Sequence, residues 1–389
     1  MRGIMETHIS MHGMNARDYR LDLVKAIAIT LVLLWHLHPV NITADSFAGI
    51  WSADGFFLMK PVTGFRGILK YVPLLIRAFY FQVTLIGVPL FIIISLYLFY
   101  GKTNSKGYFR KRIVRITQIF IFWTGIQWGI YLLLRFLVNA GRTGDMSLHG
   151  FTPGRLVIMG GPRLPFVGDS VFYFLFDLII LYVLAYGYQR LPDKIRKPMG
   201  LLVIILSVTY FQFSIVRRYY LPYWRLDNFI IYVPIAYFLR FPGNFFHKFK
   251  NFYLPAFAIF AAEEFMLSNK MHFMENVLYG RVSIVLGAMA LTTIILGAAR
   301  PADGKKSVVI RFLSAYSLGV YALHKYWQMM LLLFVLSYSR FFSSAAVIYA
   351  NLFNLKINVL RFEISAAAVI ATLLSVYLLG MTPLKKYVS

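Results

Sequence analysis

The sequence predicts an all-α integral membrane protein, built as a bundle of about ten transmembrane helices. Hydrophobic side chains make up 59% of the 389 residues and charged side chains only 14%, whereas soluble domains average about 25% charged residues. The chain therefore lacks the polar surface of a water-soluble globule, which excludes a cytosolic enzyme, a fibrous repeat and a disordered protein. The sequence contains no cysteine, so disulfides, thiolate metal sites and a cysteine nucleophile are excluded as well.

Ten apolar segments approach the length of about 20 residues that a helix needs to cross a bilayer. They cover residues 21–40, 78–99, 113–134, 170–188, 199–216, 221–239, 252–268, 282–299, 312–337 and 364–382. The sixth and the seventh are the weakest of these predictions, because they are short or contain carboxylates.

The 40 lysines and arginines orient these segments, because cytoplasmic loops of membrane proteins carry an excess of positive charge. Short basic clusters at 102–115 and 190–197 mark the cytoplasmic side, and both ends of the chain are predicted to lie there too. Residues 1–20 are then a cytoplasmic tail without the pattern of a removable signal peptide, and residues 21–389 form one transmembrane domain. The net charge of +25 is expected to face anionic membrane lipid, not nucleic acid.

Two long outer loops, 41–77 and 139–169, mix glycine, proline, arginine and aromatic residues. Such a composition suits partly re-entrant segments that shape the mouth of a pocket. It suits ordinary connecting loops on the membrane surface equally well, so both interpretations stand.

Ionisable side chains inside the predicted spans are candidate functional residues, since a charge in the bilayer is costly. In the first span Lys25 and His36 are 11 residues apart, which places them on one helix face and about 16 Å apart along the axis. Asp22 belongs to the same face and can pair with Lys25. This arrangement suits an elongated ligand with an anionic head. The alternative is a lysine that extends to lipid phosphate and a histidine packed between helices.

Four further positions follow from the same argument. Arg112 and Arg115 open the third span and point the same way, either as phosphate ligands or as part of the cytoplasmic charge bias. His324 in the ninth span is expected at about the depth of His36, so the two rings can share a site. Asp177 in the fourth span needs a partner and either assists chemistry or locks helices together. Five more acidic residues lie near the outer ends of the spans and are expected at the interface: Asp169, Asp227, Glu263, Glu264 and Glu363.

Four motifs resemble those of the acyltransferase 3 family of multi-pass membrane acyltransferases. The first is a basic residue, ten intervening positions and a histidine, here Lys25 and His36 within LDLVKAIA and WH. The other three, in the order that the family has them, are GVPLFIIIS at 87–95, FRKRIVRI at 109–116 with its Arg-x-x-Arg, and SAYSLGVYALH at 314–324. Lys25 stands where the family more often has arginine, and Leu96 stands where glycine is usual.

The resemblance implies transfer of an acyl group, usually acetyl, from cytoplasmic acyl-CoA to a hydroxyl of a cell-surface polysaccharide or lipid-linked sugar, at the inner (cell) membrane. It implies that His36 is the general base and that Arg112 and Arg115 handle acyl-CoA. His324 belongs to the last motif, and the resemblance assigns it no role. A neutral imidazole, whose pKa is about 6.5 in water, suits the removal of a hydroxyl proton as the oxygen attacks the thioester.

The predicted catalytic residues are thus His36, Lys25, His324 and Asp177, and the predicted acyl-CoA ligands are Lys25, Arg112 and Arg115. No metal is expected, because no cluster of histidines and carboxylates in the sequence has the spacing of metal ligands. The rival hypothesis is a transporter or flippase for a lipid-linked sugar, which would line its path with the same buried charges.

Overall fold

The computed structural model describes the helical body of the chain. The described residues are 18–37, 72–102, 107–143, 163–164, 168–170, 172–217, 219, 221–241, 245–267, 279–298, 307–341 and 357–389. In these ranges the regular structure is helical apart from a two-residue antiparallel ladder, in which Arg163 pairs with Asp169 and Leu164 with Gly168. The predicted all-α class is confirmed.

A helix lies on each of the ten predicted apolar segments. In chain order the elements are α1 (Tyr19–Leu37), α2 (Val72–Leu85), α3 (Gly87–Tyr100), α4 (Tyr108–Thr143), β1 (Arg163–Leu164), β2 (Gly168–Asp169), α5 (Tyr173–Arg190), α6 (Asp193–Arg217), α7 (Asp227–Ile230), α8 (Tyr232–Arg240), α9 (Phe245–Lys248), a 3₁₀ turn (Lys250–Phe252), α10 (Tyr253–Leu267), α11 (Val282–Gly297), α12 (Val308–Ala315), α13 (Ser317–Phe341), α14 (Ile357–Gly380) and α15 (Lys385–Val388).

Among the described residues, three helical stretches are long and apolar enough to cross a membrane: Phe79–Tyr100, Asp193–Arg217 and Glu363–Gly380. The second and third turn apolar side chains outward, with Ile205 60% and Leu374 58% exposed. Outward apolar faces suit lipid tails, not water. The count of ten spans and the cytoplasmic placement of both ends stay predictions. Residues 1–17 and most of the two long outer loops lie outside the described residues.

Helix α1 packs against α2, α3, α11, α12 and α13, so it lies in the middle of the bundle. Its residues Val24, Ala28 and Ile29 are fully buried. Gly87 lets α3 approach α1 closely, because a β-carbon added there would lie 2.9 Å from the carbonyl oxygen of Ala28. The helix that carries Lys25 and His36 is therefore held on several sides.

Prolines explain two breaks in the helices. Pro89 and Pro234 have no N–H to donate to the residue four positions earlier, so a helix tends to stop there. Accordingly α2 ends at Leu85 and α7 ends at Ile230, each four residues before its proline, and a new helix begins within two residues. Each of these two predicted spans is thus made of two helices in sequence.

Candidate active site

Side chains from two other helices hold the last carbonyls of α1. Lys325 donates from Nζ to the carbonyl oxygen of His36 at 2.6 Å. The carbonyl oxygen of Leu37 accepts hydrogen bonds from Nε2 of Gln328 at 3.2 Å and Oγ of Ser365 at 3.0 Å. The final carbonyls of a helix have no partner within the helix, and an unpaired one is costly in apolar surroundings. These bonds therefore tie the described end of α1, with His36, to α13 and α14.

The structure brings His36 and His324 together, with ring centroids 5.2 Å apart and ring planes inclined by 46°. His324 is 2% exposed, and its Nδ1 lies 2.6 Å from the carbonyl oxygen of Tyr321 and 3.2 Å from that of Val320. Because a carbonyl only accepts, Nδ1 carries the proton, and Nε2 of the neutral ring holds a lone pair. That Nε2 is buried and has no hydrogen-bond partner within the described part of the chain.

Aromatic rings surround the histidine pair on the side of α5. The ring of Tyr321 lies 6.5 Å from that of His36 and 5.8 Å from that of His324. It contacts Phe174 edge-on at 4.5 Å and Phe172 at 6.3 Å. His36 is half-buried, whereas Tyr321, Phe172 and Phe174 are buried. The imidazole of His36 therefore faces other rings of the bundle.

The two arginines of α4 have different partners. Arg112 donates from Nε and Nη2 to the hydroxyl of Tyr182 on α5, at 3.1 and 3.0 Å. Arg115 donates from Nη2 to the main-chain oxygen of Ser389 at 2.9 Å. The acceptor of Arg112 is an uncharged phenol, and the acceptor of Arg115 is a main-chain oxygen. Two positive charges thus lie close together at the start of α4.

Lys25 lies on α1, three turns before His36, and is half-buried. Asp22, one turn earlier, is 4% exposed and accepts a hydrogen bond from the hydroxyl of Ser314 at 2.7 Å. Ser314 opens the predicted motif at 314–324, so this bond ties the first motif to the last. The predicted pairing of Asp22 with Lys25 stays a prediction.

Asp177 is 4% exposed on α5, one turn after Tyr173 and Phe174. Its Oδ2 is buried and has no hydrogen-bond partner in the ranges that the structure describes. A carboxylate that locks two helices would need such a partner. Both interpretations of Asp177, helix locking and a role in the chemistry, stay predictions.

A buried ion pair in another part of the bundle differs from the expectation for Glu264. This residue was expected at the outer interface, but it is fully buried, and its Oε2 lies 3.5 Å from Nε of Arg281. Ser283 donates to the same carboxylate from its main-chain nitrogen, at 3.0 Å, and from its hydroxyl. Arg281 also donates to Oε1 of Gln82 at 3.1 Å. The cluster joins α2, α10 and α11.

One sequence signal could have indicated this cluster. An arginine directly precedes the uncharged eighth span, and a glutamate lies within the seventh, so each charge needed a partner in the same layer. Lys325 had a similar signal, since it follows His324 inside a span. Its role in holding α1 depends on a contact between residues 289 positions apart, which no local pattern shows.

The histidine pair has the elements of acid–base chemistry. One ring is half-buried and close to a second ring whose tautomer is set by main-chain carbonyls, and a lone pair at Nε2 is left to accept a proton or a hydrogen bond. Such an arrangement has the groups needed to accept a proton from a weakly acidic group.

Comparison with protein families agrees with the four motifs. The acyltransferase 3 model, described as an acyltransferase domain, matches residues 18–381, which is nearly the whole chain. Comparisons with curated proteins and with solved structures returned no match. The match spans all four motifs, the histidine pair and both arginines of α4, and the chain belongs to the acyltransferase 3 family.

Proposed function

We propose that the protein is a membrane O-acyltransferase of the inner (cell) membrane that moves an acyl group, most simply acetyl, from cytoplasmic acyl-CoA to a hydroxyl of a cell-surface polysaccharide or lipid-linked sugar. Membership of the acyltransferase 3 family supports the reaction class. The observation that carries the proposal is the histidine pair, in which His36 is half-buried beside the lone pair of His324.

In the proposed reaction, His36 removes the proton from the acceptor hydroxyl as the oxygen attacks the thioester carbonyl. A carbon–oxygen bond forms, and the electron pair of the carbonyl moves onto its oxygen. This intermediate then collapses, the carbon–sulfur bond breaks, and CoA leaves as the thiolate. The proton held by His36 passes to the thiolate, so neutral imidazole is regenerated. A positioned base of this kind contributes about 10²–10⁴-fold to the rate.

The donor is proposed to enter from the side of Lys25, Arg112 and Arg115. Phosphates of CoA carry negative charge, and a guanidinium binds two phosphate oxygens together. Arg112 donates to the neutral hydroxyl of Tyr182, so the charge of its guanidinium is available to an anion. Lys25 lies on the same helix as His36, which suits a donor whose charged head and reactive end are far apart.

The test uses purified protein in lipid nanodiscs with acetyl-CoA labelled in the acetyl group and a polysaccharide or lipid-linked sugar acceptor. We expect label in the acceptor and release of free thiol in equal amounts. If acetyl-CoA neither binds nor turns over while sugar crosses the membrane of sealed vesicles, the proposal is wrong and the transporter hypothesis replaces it.

His324 is predicted to position His36, because the lone pair on its Nε2 is available to accept an N–H from the neighbouring ring. His324→Phe keeps a ring of similar size but removes that acceptor. We expect kcat to fall about 10²-fold, with KM for acetyl-CoA nearly unchanged, since a misplaced catalytic group loses rate and not donor binding. Initial rates over a range of donor concentrations measure both constants.

His324→Gln separates this role from a purely structural one. Its side-chain amide can accept a hydrogen bond, so we expect it to recover part of the lost kcat. Thermal unfolding, followed by tryptophan fluorescence, checks that both variants fold. Equal kcat in His324→Phe and the parent protein would contradict the positioning role.

A further inference from the structure

The chain turns back into the bundle after α14. Residues 385–389, here called the returning segment, lie between α4 and α13. Val388 is fully buried, and a β-carbon added at Gly319 on α13 would lie 2.8 Å from Cβ of Val388. On the other side, Tyr387 stacks on Phe122 of α4, with ring centroids 4.0 Å apart and planes within 8°. The returning segment therefore fills the space between the two helices.

The returning segment extends along α4 from Arg115 to Trp123. Its Ser389 accepts a hydrogen bond from Arg115 at 2.9 Å, and the carbonyl oxygen of Tyr387 accepts one from Nε1 of Trp123 at 2.9 Å. Trp123 lies eight residues after Arg115 on α4, about 12 Å further along the helix.

From Trp123 a row of rings continues to the histidine pair. The ring of Trp123 lies 6.2 Å from that of Phe172, which lies 6.3 Å from Tyr321, which lies 6.5 Å from His36. The returning segment thus lies between Arg115 and the row of rings that leads to His36.

We propose that the returning segment is autoinhibitory: it occupies the path of the acyl donor and moves out of it when acyl-CoA binds. The inference rests on the proposed function, because it takes Arg115 as a donor ligand. The main-chain oxygen of Ser389 holds the guanidinium that a phosphate would bind, and Val388 and Tyr387 fill the way from there to the rings. The apparent donor affinity is then the affinity of the withdrawn form multiplied by the fraction of molecules in that form.

The connection of the returning segment to α14 favours its movement. It follows four exposed residues at 381–384, and its own helix is one turn long, with Lys385 and Lys386 exposed. Segments with few buried side chains and short helices open at low free energy. The family match ends at residue 381, so the segment lies beyond the matched part of the chain.

A reversible cross-link tests the proposal in the full chain, which has no cysteine of its own. Phe122→Cys and Tyr387→Cys are combined and bridged with a short bis-methanethiosulfonate reagent, which joins α4 to the returning segment. We expect acetyl-CoA to bind about tenfold more weakly or worse to the bridged protein, and a reductant to restore its affinity. Each single-cysteine variant, treated with the same reagent, is the matched control and should bind as the double variant does before bridging.

A second variant lacks residues 385–389. We expect it to bind acetyl-CoA more tightly than the parent protein and to transfer faster at low donor concentration. If the bridged and the reduced protein bind acetyl-CoA equally well, the autoinhibitory role of the returning segment is refuted while the proposed function stands. If acetyl-CoA binds to none of these proteins, acyl-CoA is not the donor, and the autoinhibitory role of the returning segment is refuted as well.

Discussion

His36→Ala is expected to lower kcat for acyl transfer by about 10²–10⁴-fold, which is the contribution of a positioned general base. The change removes the imidazole that lies 5.2 Å from His324, but it leaves the main-chain carbonyl that accepts from Lys325. The end of α1 therefore keeps its hydrogen bonds, and we expect the variant to fold. KM for acetyl-CoA should change little, because the proposed donor ligands are elsewhere. Initial rates with labelled donor measure both constants.

The pH profile gives a second measurement of the same role. A general base acts only when it is unprotonated, so kcat/KM of the parent protein should rise with pH through the pKa of the base and then level off. His36→Ala should lose this rise together with most of the activity. The profile is measured at fixed ionic strength, because donor binding by cations depends on salt.

Thr30→Ala is the matched control on the same helix. Thr30 is exposed, and its hydroxyl donates to the carbonyl oxygen of Ala26 within α1, at 2.8 Å. We expect nearly full activity from this variant. If His36→Ala keeps the parent rate in a folded protein, the base is another group, and the proposed mechanism is wrong.

Glu264→Leu is expected to destabilise the protein by about 3–5 kcal/mol, because it leaves Arg281 charged and buried without its carboxylate. Arg281 is 2% exposed and Glu264 is fully buried, so water cannot replace the lost partner at low cost. Ser283 also loses an acceptor for its main-chain nitrogen near the start of α11. Unfolding by SDS titration in mixed micelles, followed through the 6 tryptophans, gives the free energy of unfolding.

Two further variants show whether the ion pair is the cause. Glu263→Gln changes the half-buried neighbour of Glu264, and we expect it to shift the unfolding free energy by about 0.5 kcal/mol or less. Glu264→Leu combined with Arg281→Met removes both charges, and we expect it to be more stable than Glu264→Leu alone. A loss in Glu264→Leu as small as that in Glu263→Gln would contradict the role of the pair.

The sequence predicted the all-α fold class and the location of the helices, and the structure confirms both. Composition and hydropathy are local, and they located a helix on every predicted segment. The spacing of Lys25 and His36 placed them on one helix, and depth counting placed His36 and His324 at one level, where their rings are 5.2 Å apart. The helix breaks before Pro89 and Pro234 were missed, although both prolines are visible in the sequence, because the hydropathy of the segments continues across them.

By itself the amino-acid sequence determined that the chain forms apolar helices for a membrane, which family it belongs to, and which ionisable groups lie within or beside the apolar segments. Only the tertiary structure decided how those groups are partnered: the carbonyl of His36 with Lys325, Glu264 with Arg281, and Arg115 with Ser389. The physical reason is that helix formation and burial in apolar surroundings depend on neighbours along the chain. A partner for a buried charge or an unpaired carbonyl is selected by distance in space, and here it comes from helices far apart in sequence.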